Sequence, residues 1–298
     1  NKSIKDISGR STLQNKIIET FKNFKPDIII LGHADRVKKS TLEKMREINN
    51  STKFSQWFLD PLSKHGPDHI NNTNRILDKI DLLDSTFLTT DPSALSVNIP
   101  NSFFMPNPAD KSFEILNNYN KNCPYDVFFA MSHGVHRGVL KKGKIDKREI
   151  VIKQLLKKLP EIKFDVYGMN GIEPIWSDEY LEALSKCKIG LNLSQGSAGK
   201  YYSSDRFSQL IGNGLLVIVD EKTKIGNFFN QNEIVLYKSM KDLQKKILFY
   251  SKNDSLRKKI AKNGREKYFK YFNSKIIAEF IINKTFDNNK KYYWEKFL

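Results

Sequence analysis

The chain is poor in cysteine, methionine and acidic residues, and it contains no long apolar run. Only Cys123 and Cys187 occur in 298 residues, far apart and without ligand-spaced partners, which excludes a disulfide framework and a cysteine-based zinc site. No apolar run approaches the roughly 20 residues of a membrane span, and no signal-peptide core is present. We therefore expect a protein of the reducing cytoplasm, with any membrane association peripheral and at the inner membrane face.

Acidic residues are outnumbered by basic ones, 33 against 50, which gives a formal net charge of +17. A charge of this size favours anionic partners such as nucleotide diphosphates, phospholipid headgroups or nucleic acid. The basic residues are scattered and are not interleaved with aromatic residues along one stripe, which disfavours nucleic acid. Peripheral contact with an anionic membrane stays open.

Short apolar segments alternate with helical patterns along the whole chain, and the length suits two domains. The predicted strands are 28–33, 53–59, 85–90, 102–105, 125–131, 163–168, 188–193, 215–219 and 233–237. The predicted helices are 11–23, 40–48, 72–79, 146–159, 178–186, one that begins near 205, 241–250, 255–271 and 274–283. This alternation predicts an α/β protein whose parallel sheets bind ligands at their carboxyl edges.

A break in regular structure divides the chain. Pro106 and Pro108 interrupt the pattern, and the polar stretch 109–124 is the best candidate for a linker. We therefore predict a first domain over 1–108 and a second over 125–298 that ends in a helical tail. The first domain opens with a polar helix rather than a strand, so we expect that it is unusually small or that an upstream segment is missing.

The most informative segment is 191–220, which reads as strand, glycine-containing loop, helix and strand. The candidate residues for the helix start are Ser203, Ser204 and Asp205. Free amides at a helix N-terminus, with Lys200 and Arg206 beside them, form a natural seat for an anion such as a diphosphate. Gly214 lies past the helix end, where a left-handed residue is expected.

The loop after the predicted strand 125–131 carries His133, His136 and Arg137. Arg137 can bind a phosphate with a planar fork that lysine cannot reproduce, although a simple polar turn is the alternative. No cysteine or carboxylate lies near the two histidines, so we expect no metal site there.

The second half resembles the C-terminal domain of GT-B glycosyltransferases, and is most similar to the group 1 type, including the CgeB-like branch. The resemblance is carried by Ser203-Ser-Asp-Arg-Phe-Ser-Gln-Leu-Ile-Gly-Asn-Gly and its continuation to 220, with 233–237, 242–243, 257–265 and 272–274. It spans 126–282, and the segment 25–33 looks like a first-domain strand of the same fold. The resemblance implies two Rossmann-like domains that face each other across a cleft, with a C-terminal helical tail.

The resemblance also implies that the second domain binds a nucleotide-diphosphate sugar and the first domain binds most of the acceptor. Gln209 stands where the family commonly has a ribose-binding carboxylate, and its amide can still bond a hydroxyl. Tyr201 stands where many retaining members have a second glutamate. Tyr167 and Trp176 fall where the family borders the nucleobase, and either ring could stack on it or simply pack. Retaining and inverting outcomes therefore both stay open.

An inverting transfer needs a base on the acceptor hydroxyl. His33 and Asp35 follow the first strand and Asp60 follows the second, so each has a suitable type and position. Asp60 precedes Pro61, and a turn-forming role is the alternative. In a retaining transfer His33 would instead contact the donor sugar or phosphate.

Taken with the resemblance, the sequence predicts a metal-independent glycosyltransferase of the hexosyltransferase type, without the Asp-x-Asp motif of the metal-dependent fold. It would need no cofactor beyond its nucleotide-sugar substrate. The acceptor would be a glycan, a lipid-linked sugar or a protein. The alternatives are a sugar-nucleotide epimerase of the same fold and a non-catalytic protein that binds nucleotides or anions.

Overall fold

The computed structural model describes residues 9–64, 66, 68–132, 146–194, 199–202 and 204–298. Within these ranges the chain forms two parallel β-sheets with helices packed on them. The alternation of strand and helix patterns predicts this arrangement, and the two parallel sheets confirm the α/β class.

The first sheet consists of four parallel strands in the order β1-β2-β3-β4. Its elements along the chain are α1 (Arg10–Phe24), β1 (Ile28–Gly32), α2 (Lys39–Ile48), β2 (Lys53–Phe58), α3 (His69–Leu77), β3 (Ser85–Leu88) and β4 (Ser102–Phe104). All four strands are parallel, so they end at one edge of the sheet. That edge carries the residues that follow each strand.

The second sheet has the order β6-β5-β7-β8-β9, again with every pair parallel. Its elements are β5 (Tyr125–Ala130), α4 (Lys147–Lys158), β6 (Phe164–Tyr167), α5 (Ser177–Ser185), β7 (Cys187–Asn192), α6 (Asp205–Gly212), β8 (Leu216–Asp220), β9 (Val235–Tyr237), α7 (Met240–Lys252), α8 (Asp254–Tyr271) and α9 (Ser274–Thr285). β6 is added on one side of β5, whereas β7, β8 and β9 are added on the other side, so the strand order reverses between β5 and β7. Sheets of this type bind ligands beyond the carboxyl ends of the strands at that reversal.

The turn between α6 and β8 shows why the local sequence gives this connection. Gly214 has φ +79°, the left-handed conformation expected at this helix end, and a Cβ there would lie 2.8 Å from the ring of Tyr119. Leu216 to Val219 are buried on both faces of the sheet, as an apolar run in a central parallel strand should be.

The polar connection 109–124 lies against the second domain. Asn118 is completely buried, and its Nδ2 donates to the carbonyl oxygens of Leu184 (2.7 Å) and Cys187 (2.8 Å). The guanidinium of Arg257 donates to the carbonyl oxygen of Asn118 at 3.2 Å. The polar residues of this stretch therefore fix its path over the second sheet.

The helical tail crosses back to the first sheet. Helix α9 packs on β2 and β3, and Ser85 and Thr285 share a hydrogen bond of 2.7 Å. Trp294, in the short 3₁₀ turn Tyr293–Phe297, is fully buried against Phe272 and Phe280. One apolar core thus continues from the second domain into the first. None of the helices in the described ranges is long and apolar enough to cross a membrane.

We predict that Trp294→Ala lowers the free energy of unfolding by about 3–5 kcal/mol, because it removes a fully buried ring from the core shared by both sheets. Denaturant-induced unfolding measures this change. Trp176→Ala is the matched control, since that ring is 59% exposed, and it should change stability by less than about 0.5 kcal/mol. Equal losses in the two variants would contradict the packing described for the tail.

Candidate functional site

The two sheets meet where the loop before α6 contacts the end of β3. The backbone amide of Asp91 donates to the carbonyl oxygen of Lys200 at 3.0 Å, and Nζ of Lys200 lies 2.5 Å from Oδ2 of Asp91. Gly199 lies so close to Thr90 that an added Cβ would be 3.0 Å from its methyl group. Asp91 follows β3 and Lys200 follows β7, so the carboxyl edges of both sheets face one cleft.

Tyr201 anchors this loop in the core. Its side chain is 1% exposed, and its ring packs against Phe104 of the first sheet and Phe228 of the second domain. Its hydroxyl donates to the carbonyl oxygen of Phe297 at 2.7 Å and accepts from the amide of Asn227 at 2.9 Å. The structure therefore places Tyr201, a predicted donor-binding residue, beneath the cleft floor rather than on it.

Helix α6 begins at Asp205, with Ser204 in extended backbone at the N-cap. The side chain of Ser204 makes no capping hydrogen bond to the helix amides. Ser203, predicted beside it, lies outside the described residues. The first turn of α6 is thus presented at the carboxyl edge of the second sheet, next to Lys200.

Arg206 lies at the reversal between β5 and β7. Its guanidinium donates to the carbonyl oxygens of Leu193 (2.9 Å) and Ala130 (3.2 Å), which follow or end these two strands. Burial, followed by repulsion from Arg148, lowers the pKa of Arg206 to about 10, so the group stays charged at neutral pH. Among the described residues no carboxylate forms an ion pair with Arg206. The nearby Asp146 pairs with Arg148 instead. A half-buried cation without a paired carboxylate favours an anionic ligand.

The other predicted donor contacts differ in accessibility. The Trp176 side chain is 59% exposed. The Tyr167 ring instead packs against Phe128, and burial and a hydrogen bond to Asp165 raise the pKa of its hydroxyl to about 12. Gln209 is half-buried on α6. The predicted residues His133, His136 and Arg137 lie outside the described part of the chain.

The three predicted catalytic residues come together around Arg75 of α3, which the sequence analysis did not identify. Nε and Nη2 of Arg75 donate to the two oxygens of Asp35 at 3.1 and 2.8 Å, and Nη1 donates to Oδ2 of Asp60 at 2.8 Å. Nη2 also lies 2.8 Å from Nδ1 of His33, whose ring stacks on Phe58. The residues that follow β1 and β2 thus form one polar cluster with α3.

The charges in this cluster are two carboxylates against one guanidinium. Burial opposes the charge on Arg75, but the hydrogen bonds to Asp35 and Asp60 outweigh it and raise the pKa of Arg75. Across the cleft, burial and then the charge of Asp60 raise the pKa of Tyr202 to about 12. The cluster is therefore in electrostatic reach of the loop before α6. Within the described ranges, no group of three His, Cys, Asp or Glu side chains is placed to hold a metal ion.

Asp91 and Arg75 are the two site residues that sequence reasoning missed. Asp91 follows a strand and precedes a proline, which is the same signal that singles out Asp60, so the pattern was available. Arg75 lies on a polar helix and carries no local signal. Its role emerges only when α3 is packed beside the ends of β1 and β2.

Comparison with known proteins gives the class of the second domain. Residues 147–283 match the family model described as "Glycosyl transferase-like". The match lies within the second domain and confirms the resemblance found in the sequence, while the CgeB-like branch stays a prediction. No curated protein matches the chain in sequence.

Solved glycosyltransferases share the fold over almost the whole chain. Anabaena Alr3699/HepE in complex with UDP and glucose has a TM-score of 0.61 and 12% identity, over 91% of this chain and 80% of that one. A glycosyltransferase from Rickettsia africae ESF-5 has a TM-score of 0.59 and 12% identity, over 93% and 81%. TarM has a TM-score of 0.58 and 14% identity over 90% of this chain, which spans only 57% of TarM. At these identities the likeness establishes the fold alone, and it confirms the predicted GT-B fold class.

We predict that Lys200→Met lowers the free energy of unfolding by about 1–3 kcal/mol at pH 7, because it leaves the buried Asp91 carboxylate without its cation. Burial alone would raise the pKa of Asp91, but the hydrogen bond from Lys200 and the bonds from Ser93 hold it below the usual value. A lowered pKa stabilises the folded state above the ordinary Asp pKa, and this contribution is lost as the pH falls through the folded-state pKa.

The difference between wild type and Lys200→Met should therefore shrink as the pH is lowered from 7 to 3, as measured by urea unfolding. Lys238→Met is the control, because Lys238 lies 3.9 Å from Glu221 and is 74% exposed. It should cost less than about 1 kcal/mol. A Lys200→Met defect that does not depend on pH would exclude the ion pair as its cause.

Proposed function

We propose that this protein is a glycosyltransferase that transfers a sugar from a nucleotide-diphosphate donor to a hydroxyl acceptor. The observation that supports this most directly is the distribution of charge across the cleft. The second-domain side carries the cations Lys200 and Arg206, and the first-domain side carries the carboxylates Asp35 and Asp60. A transfer reaction needs cations that stabilise the anionic leaving group on one side and a group that accepts the acceptor's proton on the other.

The donor diphosphate would bind at the N-terminus of α6. Lys200 and Arg206 flank this helix start, and an ammonium has three N–H donors, so Lys200 can bind Asp91 and a phosphate oxygen together. Ser203 and Ser204 would add donors from the same turn, and Gln209 would bond a ribose hydroxyl. His133, His136 and Arg137, which follow β5 in the sequence, are further proposed donor ligands.

Trp176 is the proposed stacking partner of the nucleobase, because its ring is exposed while that of Tyr167 is engaged with Asp165 and Phe128. HepE was crystallised with UDP and with UDP-glucose. We therefore propose a uridine diphosphate sugar, with a hexosyl group, as the first donor to test.

The mechanism would combine electrostatic stabilisation with orientation. Lys200, Arg206 and the amides of α6 would stabilise the charge that develops on the leaving diphosphate, so we propose no resident metal. Contact between the two carboxyl edges would orient acceptor against donor and exclude water. In an inverting transfer, the cluster around Arg75 would supply the base. The acceptor would be a glycan, a lipid-linked sugar or a protein.

A sugar-nucleotide epimerase of the same fold is the second candidate. Two carboxylates, Asp35 and Asp60, lie in one cluster of the cleft, and an epimerase needs an acid and a base there. The two functions differ in their products. An epimerase converts its nucleotide sugar without any acceptor, whereas a transferase releases the nucleoside diphosphate as the acceptor is consumed.

We predict that calorimetric titration with UDP, GDP, CDP, ADP and their sugar conjugates finds one nucleotide that binds without magnesium. Lys200→Ala and Arg206→Ala should each weaken it by about tenfold or more, since each removes a charge-assisted hydrogen bond. Lys238→Ala, an exposed lysine of the same domain, should leave the affinity unchanged. If none of these nucleotides binds, the proposed function is contradicted.

We predict that Trp176→Ala weakens the same nucleotide by about 2–10-fold through loss of base stacking, while Trp176→Phe retains most of the affinity. Titration with the free ribose diphosphate separates stacking from diphosphate binding. Its affinity should not depend on residue 176. An equal loss for the nucleotide and for the ribose diphosphate would show that Trp176 does not contact the base.

A further inference from the structure

The contact between Arg75 and His33 determines where the imidazole carries its proton. Nη2 of Arg75 lies 2.8 Å from Nδ1 of His33. A guanidinium has N–H donors and no acceptor, and it stays charged in proteins, so Nδ1 must be the acceptor. The neutral imidazole then carries its proton on Nε2.

We infer that Arg75 is a positioning residue that holds His33 as the Nε2–H tautomer, so that His33 donates a hydrogen bond in the cleft and is not the acceptor base. This inference rests on the proposed function for its catalytic meaning. The tautomer itself follows from the geometry of the cluster.

The neighbouring groups support this assignment. Asp60 is the other candidate partner of Nδ1, but its Oδ2 lies 3.8 Å away, beyond hydrogen-bond distance, and accepts from Nη1 of Arg75 at 2.8 Å. The ring of His33 stacks on Phe58 with centroids 5.3 Å apart, which limits its rotation. The His33 side chain is 34% exposed, so a ligand can reach it.

The hydrogen bonds from Arg75 distinguish the carboxylate of Asp35 from that of Asp60. Arg75 bonds both oxygens of Asp35 but only Oδ2 of Asp60. Asp60 is therefore the carboxylate better placed to take the acceptor proton. In that step the acceptor oxygen bonds to the anomeric carbon, its proton passes to Asp60, and the bond to the diphosphate oxygen breaks with its electron pair leaving on the diphosphate.

The tautomer can be tested without any turnover, by nitrogen NMR of imidazole-labelled protein with His33→Gln used to assign the resonances. We expect His33 to show a protonated Nε2 and an unprotonated, hydrogen-bonded Nδ1. Arg75→Met should move the signal toward the Nδ1–H form, because Asp60 then faces Nδ1 unopposed. A protonated Nδ1 in the wild-type protein would overturn the inference.

Kinetics with the donor identified by titration test the roles. The amide nitrogen of glutamine can replace Nε2–H as a donor but cannot act as a base, so His33→Gln should keep kcat within about tenfold of wild type, with His33→Ala far lower. Asp60→Asn should lose about 10²–10⁴-fold in kcat. Arg75→Lys, which keeps a cationic donor, should recover part of the kcat that Arg75→Met loses.

Two outcomes would overturn the roles: His33→Gln as inactive as His33→Ala, or Asp60→Asn fully active. A protein that turns over no nucleotide sugar would refute the proposed function, while the NMR result would still decide the tautomer. Circular dichroism and thermal unfolding of each variant identify any that fail to fold. The wild-type NMR measurement does not depend on those variants.

Discussion

The structure depends on the contact between the loop before α6 and the end of β3. Asp91 holds Lys200 through a backbone hydrogen bond and an ion pair, and Tyr201 fills the core directly beneath them. Because a low local dielectric strengthens a paired charge and penalises an unpaired one, this contact fixes how the two carboxyl edges face each other.

The division of charge across the cleft gives this geometry its chemical meaning. The second domain places Arg206 between the ends of β5 and β7. Among the described residues, its guanidinium donates hydrogen bonds only to backbone carbonyls. The first domain gathers Asp35 and Asp60 around Arg75, which neutralises one of the two carboxylates. In the proposed transfer, the second-domain side would stabilise the departing diphosphate, and the first-domain side would accept the proton of the acceptor hydroxyl.

Local features could be predicted from the sequence, and long-range ones could not. The strands and helices lie within a few residues of their expected bounds, because apolar runs and residues such as Gly214 act through their immediate neighbours. The strand-end positions of His33, Asp35 and Asp60 follow from the same patterns. Arg75 reaches His33 across 42 residues and Tyr201 reaches Phe297 across 96, so neither contact leaves a local trace. The packing of the C-terminal tail on the first sheet could not be predicted from the sequence for the same reason.

Amide hydrogen exchange, with and without the nucleoside diphosphate that binds tightest, tests whether the loop before α6 and the start of α6 form the donor site. We expect the added protection to be concentrated in residues 199–202 and 204–206, whose amides would bind the diphosphate in the proposed donor site. Helix α1 packs on α2 and should exchange as before. Unchanged exchange over 199–206 at saturating nucleotide would contradict the claim that this loop and helix start are the donor site.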